Sequence, residues 1–205
     1  MTYDPDHHQR RSIRLKDFDY TQPGAYFLTF AAWNRELLFG EVVDGEMVLS
    51  DSGQIAQAEW LATPTIRREI ELDALVVMPN HLHGIIWITV DPLVGAHGRA
   101  PRLPDASQPD RVPLHRPPKS LGSFVAGYKS AVTTRINQRR AAPGCPVWQR
   151  NYWEHIIRTE RALQAIRQYI ANNPARWSLD RYNPHATGPD PEAKRLWDLL
   201  QDDEL

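Results

Sequence analysis

The feature that most constrains this chain is an apolar segment, VVMPNHLHGIIWITV, which is interrupted by two histidines. Apart from the Pro79-Asn80 bend, it has the composition of a buried strand. Side chains alternate between the two faces of a strand, so His81 and His83 point to the same side. Two imidazoles side by side among buried neighbours predict half of a metal site, which needs a third ligand from elsewhere in the chain.

Before residue 91 the sequence pattern predicts mainly β-strands. Segment 25–33 alternates and is rich in aromatic residues, which predicts a strand. Segment 37–50 predicts a hairpin, because Asp44-Gly45 favours a tight turn between two β-like runs. Segments 71–79 and 83–90 predict two further strands. Ser50 or Asp51 can cap a helix that continues to about residue 68.

After residue 118 the pattern becomes mainly helical. The apolar residues of 119–137 form one continuous stripe at helical spacing. Segment 147–157 predicts a last strand, and Thr159 caps a helix that ends near Asn173, because Pro174 disfavours helical geometry in the residue before it. Between the two halves, 91–118 contains seven of the seventeen prolines and no periodicity, which predicts a mobile insert.

Strands joined by hairpins and crossed by helices predict an α+β fold. We expect a mostly antiparallel sheet with helices packed on one side, and a ferredoxin-like split βαβ topology is the leading interpretation. The domain covers residues 1–182, including the proline-rich insert at 91–118. A polar C-terminal tail at 183–205 contains a possible short amphipathic helix at 191–200.

Composition limits the class of protein further. A chain of 205 residues can form one domain with a substantial core. No apolar stretch reaches the roughly 18–20 residues of a membrane span, and the first residues do not resemble a secretory signal. The single cysteine, Cys145, excludes an internal disulfide framework and a cysteine-rich zinc site. These features predict a cytoplasmic protein.

The net charge of −1 conceals an uneven distribution of charge. Between Arg111 and Arg161 there are ten Lys or Arg and two acidic residues, so the remainder of the chain is acidic. A basic segment of this kind predicts a polyanionic partner. An unevenly charged, solvated surface is the alternative interpretation.

Four segments, MPNHLHGII, GYKSAVTTRIN, VWQRNYWEHIIR and YIANNP, resemble in this order the REP-associated tyrosine transposases. The segment RSIRLKDFDYTQPGAYFLTFAAWNRELLFG also resembles this family, which belongs to the HUH single-tyrosine transposases of the insertion-sequence type. The match covers about residues 10–180 without the insert. The resemblance implies an HUH endonuclease architecture, single-stranded DNA cleaved and rejoined by a tyrosine, and a divalent metal. It also implies DNA hairpins of palindromic repeats as the partner.

Three tyrosines lie after the histidines in segments that the family uses. Tyr128 belongs to the apolar stripe of its helix and Tyr152 lies among tryptophans, so packing explains both. Tyr169 lies at the rim of its helix stripe, with Asn173 one turn further along the same face. The resemblance implies that Tyr169 is the catalytic nucleophile, since the family has a Gln or Asn four positions after it. The other four tyrosines have no metal-type context: Tyr3, Tyr20, Tyr26 and Tyr182.

The amide oxygen of Asn173 is the candidate third ligand beside His81 and His83. If the helix ends early, Asn172 could take its place, and a simple helix C-cap is the alternative role of Asn173. Two imidazoles and an amide oxygen suit Mg²⁺ or Mn²⁺ bound together with substrate, and not a closed zinc site. His155 is a weak candidate for acid–base chemistry and is explained equally well as a strand histidine.

The basic segment predicts contacts to the DNA backbone, which position DNA without specifying its sequence. The predicted DNA-binding residues are Lys129, Arg135, Arg139, Arg140 and Arg150. Trp148 and Trp153 could stack on unpaired bases.

Three other functions share parts of this pattern. An HUH nickase would use the same first step without moving an element, and a domesticated protein would bind DNA hairpins without cleaving them. A metallohydrolase would use a metal-bound water and leave Tyr169 idle. The pattern is compatible with a monomer or a homodimer.

Overall fold

The computed structural model describes residues 18–90 and 119–202 of the chain. The proline-rich insert predicted at 91–118 therefore lies outside the described residues. The described elements are, in chain order, β1 (Gly24–Ala31), β2 (Gly40–Val43), β3 (Glu46–Leu49), α1 (Asp51–Ile66), β4 (Ile70–Met78), β5 (His81–Ile88), α2 (Leu121–Arg139), β6 (Trp153–Ile157), α3 (Glu160–Asn172) and α4 (Pro191–Asp202). Short 3₁₀ turns occupy Trp33–Arg35 and Pro174–Leu179.

The main sheet has four strands in the order β4-β5-β1-β6, and every neighbouring pair is antiparallel. Helix α1 lies between β1 and β4 in the chain, and α2 lies between β5 and β6, which is the split βαβ arrangement. The α+β class and this topology are confirmed. The predicted hairpin is the separate β2-β3 pair, whose turn residues Asp44 and Gly45 have φ of 51° and 81°, as its tight turn requires.

The two crossover helices cover one face of the sheet. Because strand residues alternate, Tyr26, Leu28 and Phe30 of β1 all face α1 and α2, where Trp60 of α1 fills the centre of the core. Gly84 of β5 lies beneath this indole, and a Cβ there would come within 2.6 Å of two indole carbons. Any larger residue at position 84 would therefore displace Trp60 or bend β5.

The opposite face is covered by α3 and α4, so the expectation of helices on one side is corrected. Ile166 and Ile170 of α3 pack against Phe27 and Ile85 of the sheet, and α4 adds Leu196 and Leu200. The sequence pattern predicted the helices but not the face of the sheet that each helix covers. That side depends on which strand residues are left apolar and uncovered.

The last predicted strand is shorter than expected. Only Trp153–Ile157 is β6, and Trp148 makes one isolated bridge with Ala32. Asn151 has a left-handed backbone with φ of 81°, which interrupts the extended conformation before β6. The indole of Trp148 points into the core, 5.0 Å from the ring of Phe39, so the prediction that Trp148 stacks on DNA bases is wrong.

Within the described ranges, no helix has both the length and the apolar character that crossing a bilayer would require.

Candidate functional site

The two histidines open strand β5, which begins two residues earlier than predicted, and both point to the side covered by α3. Strand periodicity predicted that they share one face. They lie opposite Ala31 and Thr29 of β1, and both rings are buried. Their ring centroids are 4.7 Å apart. The sheet therefore holds two imidazoles side by side at one end of its α3 face.

Asn80 orients the ring of His81. The Asn80 amide nitrogen donates to the backbone carbonyls of Arg35 at 3.1 Å and Tyr182 at 2.7 Å, which leaves its Oδ1 to accept. That oxygen is 3.0 Å from His81 Nδ1, so Nδ1 carries the proton and donates to it. The lone pair of His81 is consequently on Nε2, which has no hydrogen-bond partner in the described parts of the chain.

Thr29 holds the ring of His83: its Oγ1 lies 2.8 Å from His83 Nδ1, and this hydroxyl can accept a hydrogen bond from Nδ1 or donate one to it. The other ring nitrogen, His83 Nε2, is buried and has no hydrogen-bond partner within residues 18–90 and 119–202. Burial lowers the pKa of His83 to about 3 and that of His81 well below 6.5. Both rings are therefore neutral at physiological pH, which is the state that ligates a metal.

Asp180 provides a carboxylate close to both histidines. It follows the 3₁₀ turn after α3, and its Oδ2 lies 3.5 Å from His81 Nε2. One ligand atom from each of His81, His83 and Asp180 lies within 4.8 Å of the other two. Burial raises the pKa of Asp180 to about 6, so the carboxylate is mostly ionised at pH 7. An ionised oxygen facing an imidazole lone pair is unfavourable unless a cation lies between them.

Tyr169 lies beside this cluster. It is on the inner side of α3, 7% exposed, and its ring centroid is 5.3 Å from that of His83. Burial, followed by the negative charge of Asp180, raises the pKa of Tyr169 well above 10, while a hydrogen bond with Asn173 lowers it. The phenol is thus protonated in the protein alone and needs assistance to act as a nucleophile.

Asn173, the residue after α3, keeps helical backbone angles of −58° and −44° and is buried. Its Oδ1 has no hydrogen-bond partner among the described residues. Asn172 is only half-buried, so Asn173 is the better placed of the two amides. Its role as a metal ligand stays a prediction, because the carboxylate of Asp180 offers a third ligand that the sequence analysis missed.

Tyr182 was also missed by the sequence analysis. Its ring stacks on His81 with centroids 4.4 Å apart, and the guanidinium carbons of Arg35 and Arg181 lie 5.2 and 5.4 Å from its centroid. Two cations next to buried histidines provide positive charge where an anionic ligand would approach. No periodic pattern surrounds Asp180 or Tyr182, so the sequence carried no local signal for either residue.

A cavity of about 180 Å³ is lined by Tyr169 and His83. Its walls include His83, Tyr169, Arg181 and Trp197, the last contributed by α4. Trp197 packs edge-on against Trp153 with centroids 4.7 Å apart. The cavity therefore brings together a neutral imidazole, two phenols and a guanidinium, since Tyr182 also lines it.

The predicted DNA-contacting residues are spread over a different surface. Four of them lie on α2 or at its end, and α2 covers the opposite face of the sheet; these are Lys129, Arg135, Arg139 and Arg140. Arg135 pairs with Glu59 and Arg139 with Asp51, both of α1. Arg150 is exposed and lines a groove beside the site. Their contacts to DNA stay a prediction.

Two of these cations are held by neighbouring backbone carbonyls. Lys129 donates to the carbonyls of Gln149 and Asn151, and burial lowers its pKa to about 8. Arg140 donates to the side chain of Asn137 and the carbonyl of Pro146. His155 is buried on β6 with its ring parallel to that of Trp153, and its part in acid–base chemistry stays a prediction.

The sequence is 38% identical over 179 residues to an uncharacterized protein of Haemophilus influenzae, covering 87% of this chain and 96% of that protein. The chain belongs to the family of this Haemophilus protein. No model of a described protein family matches the sequence.

Two solved structures are similar to this chain. One is a REP-associated tyrosine transposase bound to a REP hairpin, at a TM-score of 0.47 and 18% identity, covering 79% of this chain and 73% of that one. The other is a proposed transposase from Deinococcus radiodurans, at a TM-score of 0.40 and 19% identity, covering 78% of this chain and 97% of that one. Both names are those of transposases.

Proposed function

We propose that this chain is a metal-dependent single-stranded DNA endonuclease and strand transferase, a transposase of the REP-associated tyrosine type. Tyr169 is its nucleophile, and the DNA is joined to the enzyme through a 5′-phosphotyrosine intermediate. The observation that carries the proposal is the placement of the Tyr169 ring 5.3 Å from the His83 ring, beside three converging ligand atoms. His81, His83 and Tyr169 lie in two of the segments that carry the resemblance to the family, MPNHLHGII and YIANNP.

The donor atoms fit a divalent cation. His81 Nε2 and His83 Nε2 are buried without hydrogen-bond partners in the described residues, and Asp180 adds a negative charge. Asn80 and Thr29 hold the rings in the orientation that ligation needs. Mixed nitrogen and oxygen ligands favour Mn²⁺ over Mg²⁺, which prefers oxygen ligands, and we propose one of these two ions as the cofactor. A cation bound there would stabilise negative charge developing on the phosphate.

The reaction needs no external energy source. The phenolic oxygen of Tyr169 attacks the scissile phosphorus, the bond to the 3′ oxygen breaks, and the phenolic proton ends on the released 3′ hydroxyl. Arg181 lines the same cavity, and its guanidinium would bind a phosphate oxygen and orient the strand. Because the phosphotyrosine ester retains the energy of the broken bond, another 3′ hydroxyl can attack it and reseal the strand.

The proposed partner is single-stranded DNA that contains hairpins of palindromic repeats. The cavity of about 180 Å³ has aromatic walls, Trp153, Tyr182 and Trp197, and aromatic side chains favour unpaired bases, which a duplex does not offer. The resemblance in sequence, and not the cavity, supports the hairpin as the form of that DNA. The basic residues of α2 and the loop after it would then bind phosphates of the hairpin stem.

The direct test is a covalent-adduct assay. A labelled single-stranded oligonucleotide with a REP-type hairpin is incubated with the protein and Mn²⁺ or Mg²⁺, then denatured and separated by size. We expect a labelled protein band from the unsubstituted protein and none from Tyr169→Phe. Tyr182→Phe is the matched control, because it removes a phenol from the same cavity.

Each other outcome would indicate a different nucleophile or a different function. An adduct that persists in Tyr169→Phe and disappears in Tyr182→Phe would show that the nucleophile is Tyr182. Cleavage without any adduct would indicate hydrolysis by a metal-bound water, and binding without cleavage would indicate a non-catalytic hairpin-binding protein. A nickase would form the adduct but would not join it to a second DNA end.

A further inference from the structure

A second pocket of about 440 Å³ adjoins the catalytic cavity. The two share three wall residues, Thr29, Trp153 and Tyr182. Thr29 holds His83, and Tyr182 stacks on His81. A DNA strand whose phosphate reaches Tyr169 would therefore place a neighbouring nucleotide in this second pocket.

One wall of the second pocket is an exposed indole. Trp33 is 37% exposed and, within the described parts of the chain, makes no ring contact with another aromatic residue. The remaining tryptophans on this side, such as Trp153, pack against neighbouring rings. A large apolar face left open beside a cavity for single-stranded DNA is suited to stacking on a base.

The other wall offers groups that can recognise the edge of a base. The side-chain amides of Asn34, Gln149 and Asn151 line the pocket and form no hydrogen bond with any described residue. The guanidinium of Arg150 is exposed beside them. Amides of Asn and Gln pair in two-point fashion with adenine, and Arg pairs similarly with guanine. These side chains therefore match the hydrogen-bonding edge of a purine.

The two walls are fixed relative to each other by the backbone. The amide of Trp33 donates to the carbonyl of Val147 at 2.9 Å, and the amide of Gln149 donates to the carbonyl of Ala31 at 2.9 Å. The pocket thus exists before any ligand binds, which reduces the entropic cost of ordering it around a base.

We propose that this pocket binds the purine base of a nucleotide adjacent to the scissile phosphate. Trp33 provides the stacking surface, and the amide of Gln149 pairs with the edge of the base. This inference rests on the proposed function, because it takes the position of the phosphate from Tyr169. It adds a contact that determines which sequence is cut.

Backbone conformation explains why two of the residues that line the second pocket are asparagines. Asn34 and Asn151 have φ of 51° and 81°, and Asn is favoured in this left-handed region for reasons unrelated to DNA. Gln149 and Trp33 have no such explanation, since neither has a positive φ. They are therefore the residues to substitute.

The test scans the oligonucleotide for a base that the pocket requires. Cleavage by the unsubstituted protein locates the scissile phosphate, and an abasic site or a pyrimidine is then placed at each neighbouring position. We expect one purine position at which the abasic site slows adduct formation about five-fold or more. In Trp33→Ala and Gln149→Ala this penalty should shrink, because the contact is already lost.

Two matched substitutions control for general effects on the surface. Gln57→Ala removes an exposed amide from α1, and Leu37→Ala removes an exposed apolar side chain near Trp33 but outside the pocket. Both should keep the full abasic penalty. Equal adduct formation with every abasic substrate, or a penalty that persists unchanged in Trp33→Ala and Gln149→Ala, would overturn the proposal.

A binding measurement separates failure of this proposal from failure of the proposed function. The fluorescent base 2-aminopurine is placed at each position of the single strand and mixed with Tyr169→Phe, which lacks the nucleophile. Stacking in the pocket should quench the fluorescence of 2-aminopurine at one position. In the double variant Tyr169→Phe, Trp33→Ala, the fluorescence at that position should recover. If the unsubstituted protein forms no adduct but this quenching occurs, the chain binds bases without cutting DNA. If no position is quenched, the pocket does not bind a base.

Discussion

The two faces of the sheet bury polar side chains in different ways. On the face covered by α1 and α2, the phenols of Tyr26 and Tyr128 donate to the backbone carbonyls of Gln22 and Ala56. On the face covered by α3 and α4, three acceptors converge within 4.8 Å, and His81 Nε2 and His83 Nε2 have no hydrogen-bond partner in the described residues.

This difference in hydrogen bonding indicates that one face of the sheet contributes mainly to stability and the other mainly to function. A buried polar group with a partner is close to neutral for folding, whereas several acceptors facing one another destabilise the fold unless a cation binds them. On the first face, the indole N–H groups of Trp60 and Trp148 have no hydrogen-bond partner in the described residues, and an N–H donor cannot ligate a cation. The α3 face is thus built for binding and the α1 face for packing.

The largest expected effect is the loss of cation binding in His83→Ala. Removing one of the three proposed ligand side chains should weaken Mn²⁺ binding by about 100-fold or more, measured by calorimetric titration. His185→Ala removes an exposed histidine and should leave the affinity unchanged. Equal affinities for the two variants would place the cation site elsewhere.

Trp60→Ala tests the packing face. The indole is fully buried between β5 and the two crossover helices, so its removal should lower the free energy of unfolding by about 3–5 kcal/mol. Denaturant titration measures this loss. Mn²⁺ affinity of the folded variant should change little, and a large loss of affinity would show that the two faces are coupled.

Asp180→Asn tests whether the carboxylate is the third ligand. We expect Mn²⁺ affinity to fall about 10- to 100-fold. The cation-free protein should become more stable by about 1 kcal/mol, because an amide can donate to His81 Nε2 and removes an uncompensated charge. Asn173→Ala is the paired measurement. A larger loss of affinity in Asn173→Ala than in Asp180→Asn would favour the amide ligand predicted from the sequence.

The smallest effect concerns Asp73 of β4, which accepts hydrogen bonds from Arg167 of α3 at 2.9 and 2.5 Å. The Arg167 guanidinium holds the pKa of Asp73 below 3.8, so the ion pair stabilises the fold above that pH and loses its effect as pH falls through the lowered pKa. Because Arg167 is about a third exposed, Asp73→Asn should cost only about 1 kcal/mol at pH 7. Urea titrations at pH 7 and pH 3 should show a smaller difference between the two proteins at the lower pH.

Most of the fold could be predicted because its signals are local. The Asp44-Gly45 turn, the Ser50 and Thr159 caps and the termination of α3 before Pro174 are each determined within a few residues, and all are observed. The strand predicted at 147–157 was longer than the observed one. The left-handed backbone of Asn151 interrupts it, and the alternation of side chains in the sequence does not indicate that interruption. Trp148 looked accessible because aromatic composition does not distinguish a core position from a stacking surface.

The candidate site divides in the same way. The pairing of His81 with His83 follows from strand periodicity, and the proximity of Tyr169 to Asn173 follows from the helical repeat. Asp180 and Tyr182 share no element with the histidines. They reach the site because the 3₁₀ turn at Pro174–Leu179 directs the chain back over His81, where Trp177 also stacks at 6.2 Å.

The sequence by itself determined which side chains share a face within one strand or one helix, because the repeat of each element is a property of the backbone. Only the tertiary structure decided that the face of α3 with Tyr169 meets the histidine face of β5, and that a carboxylate after α3 completes the cluster. The physical reason is that contacts between elements depend on how apolar surfaces pack over the whole domain. Burial then sets the charge of each group: the same imidazole that would be partly protonated in water at pH 7 is neutral between β5 and α3, with a lone pair available for a cation.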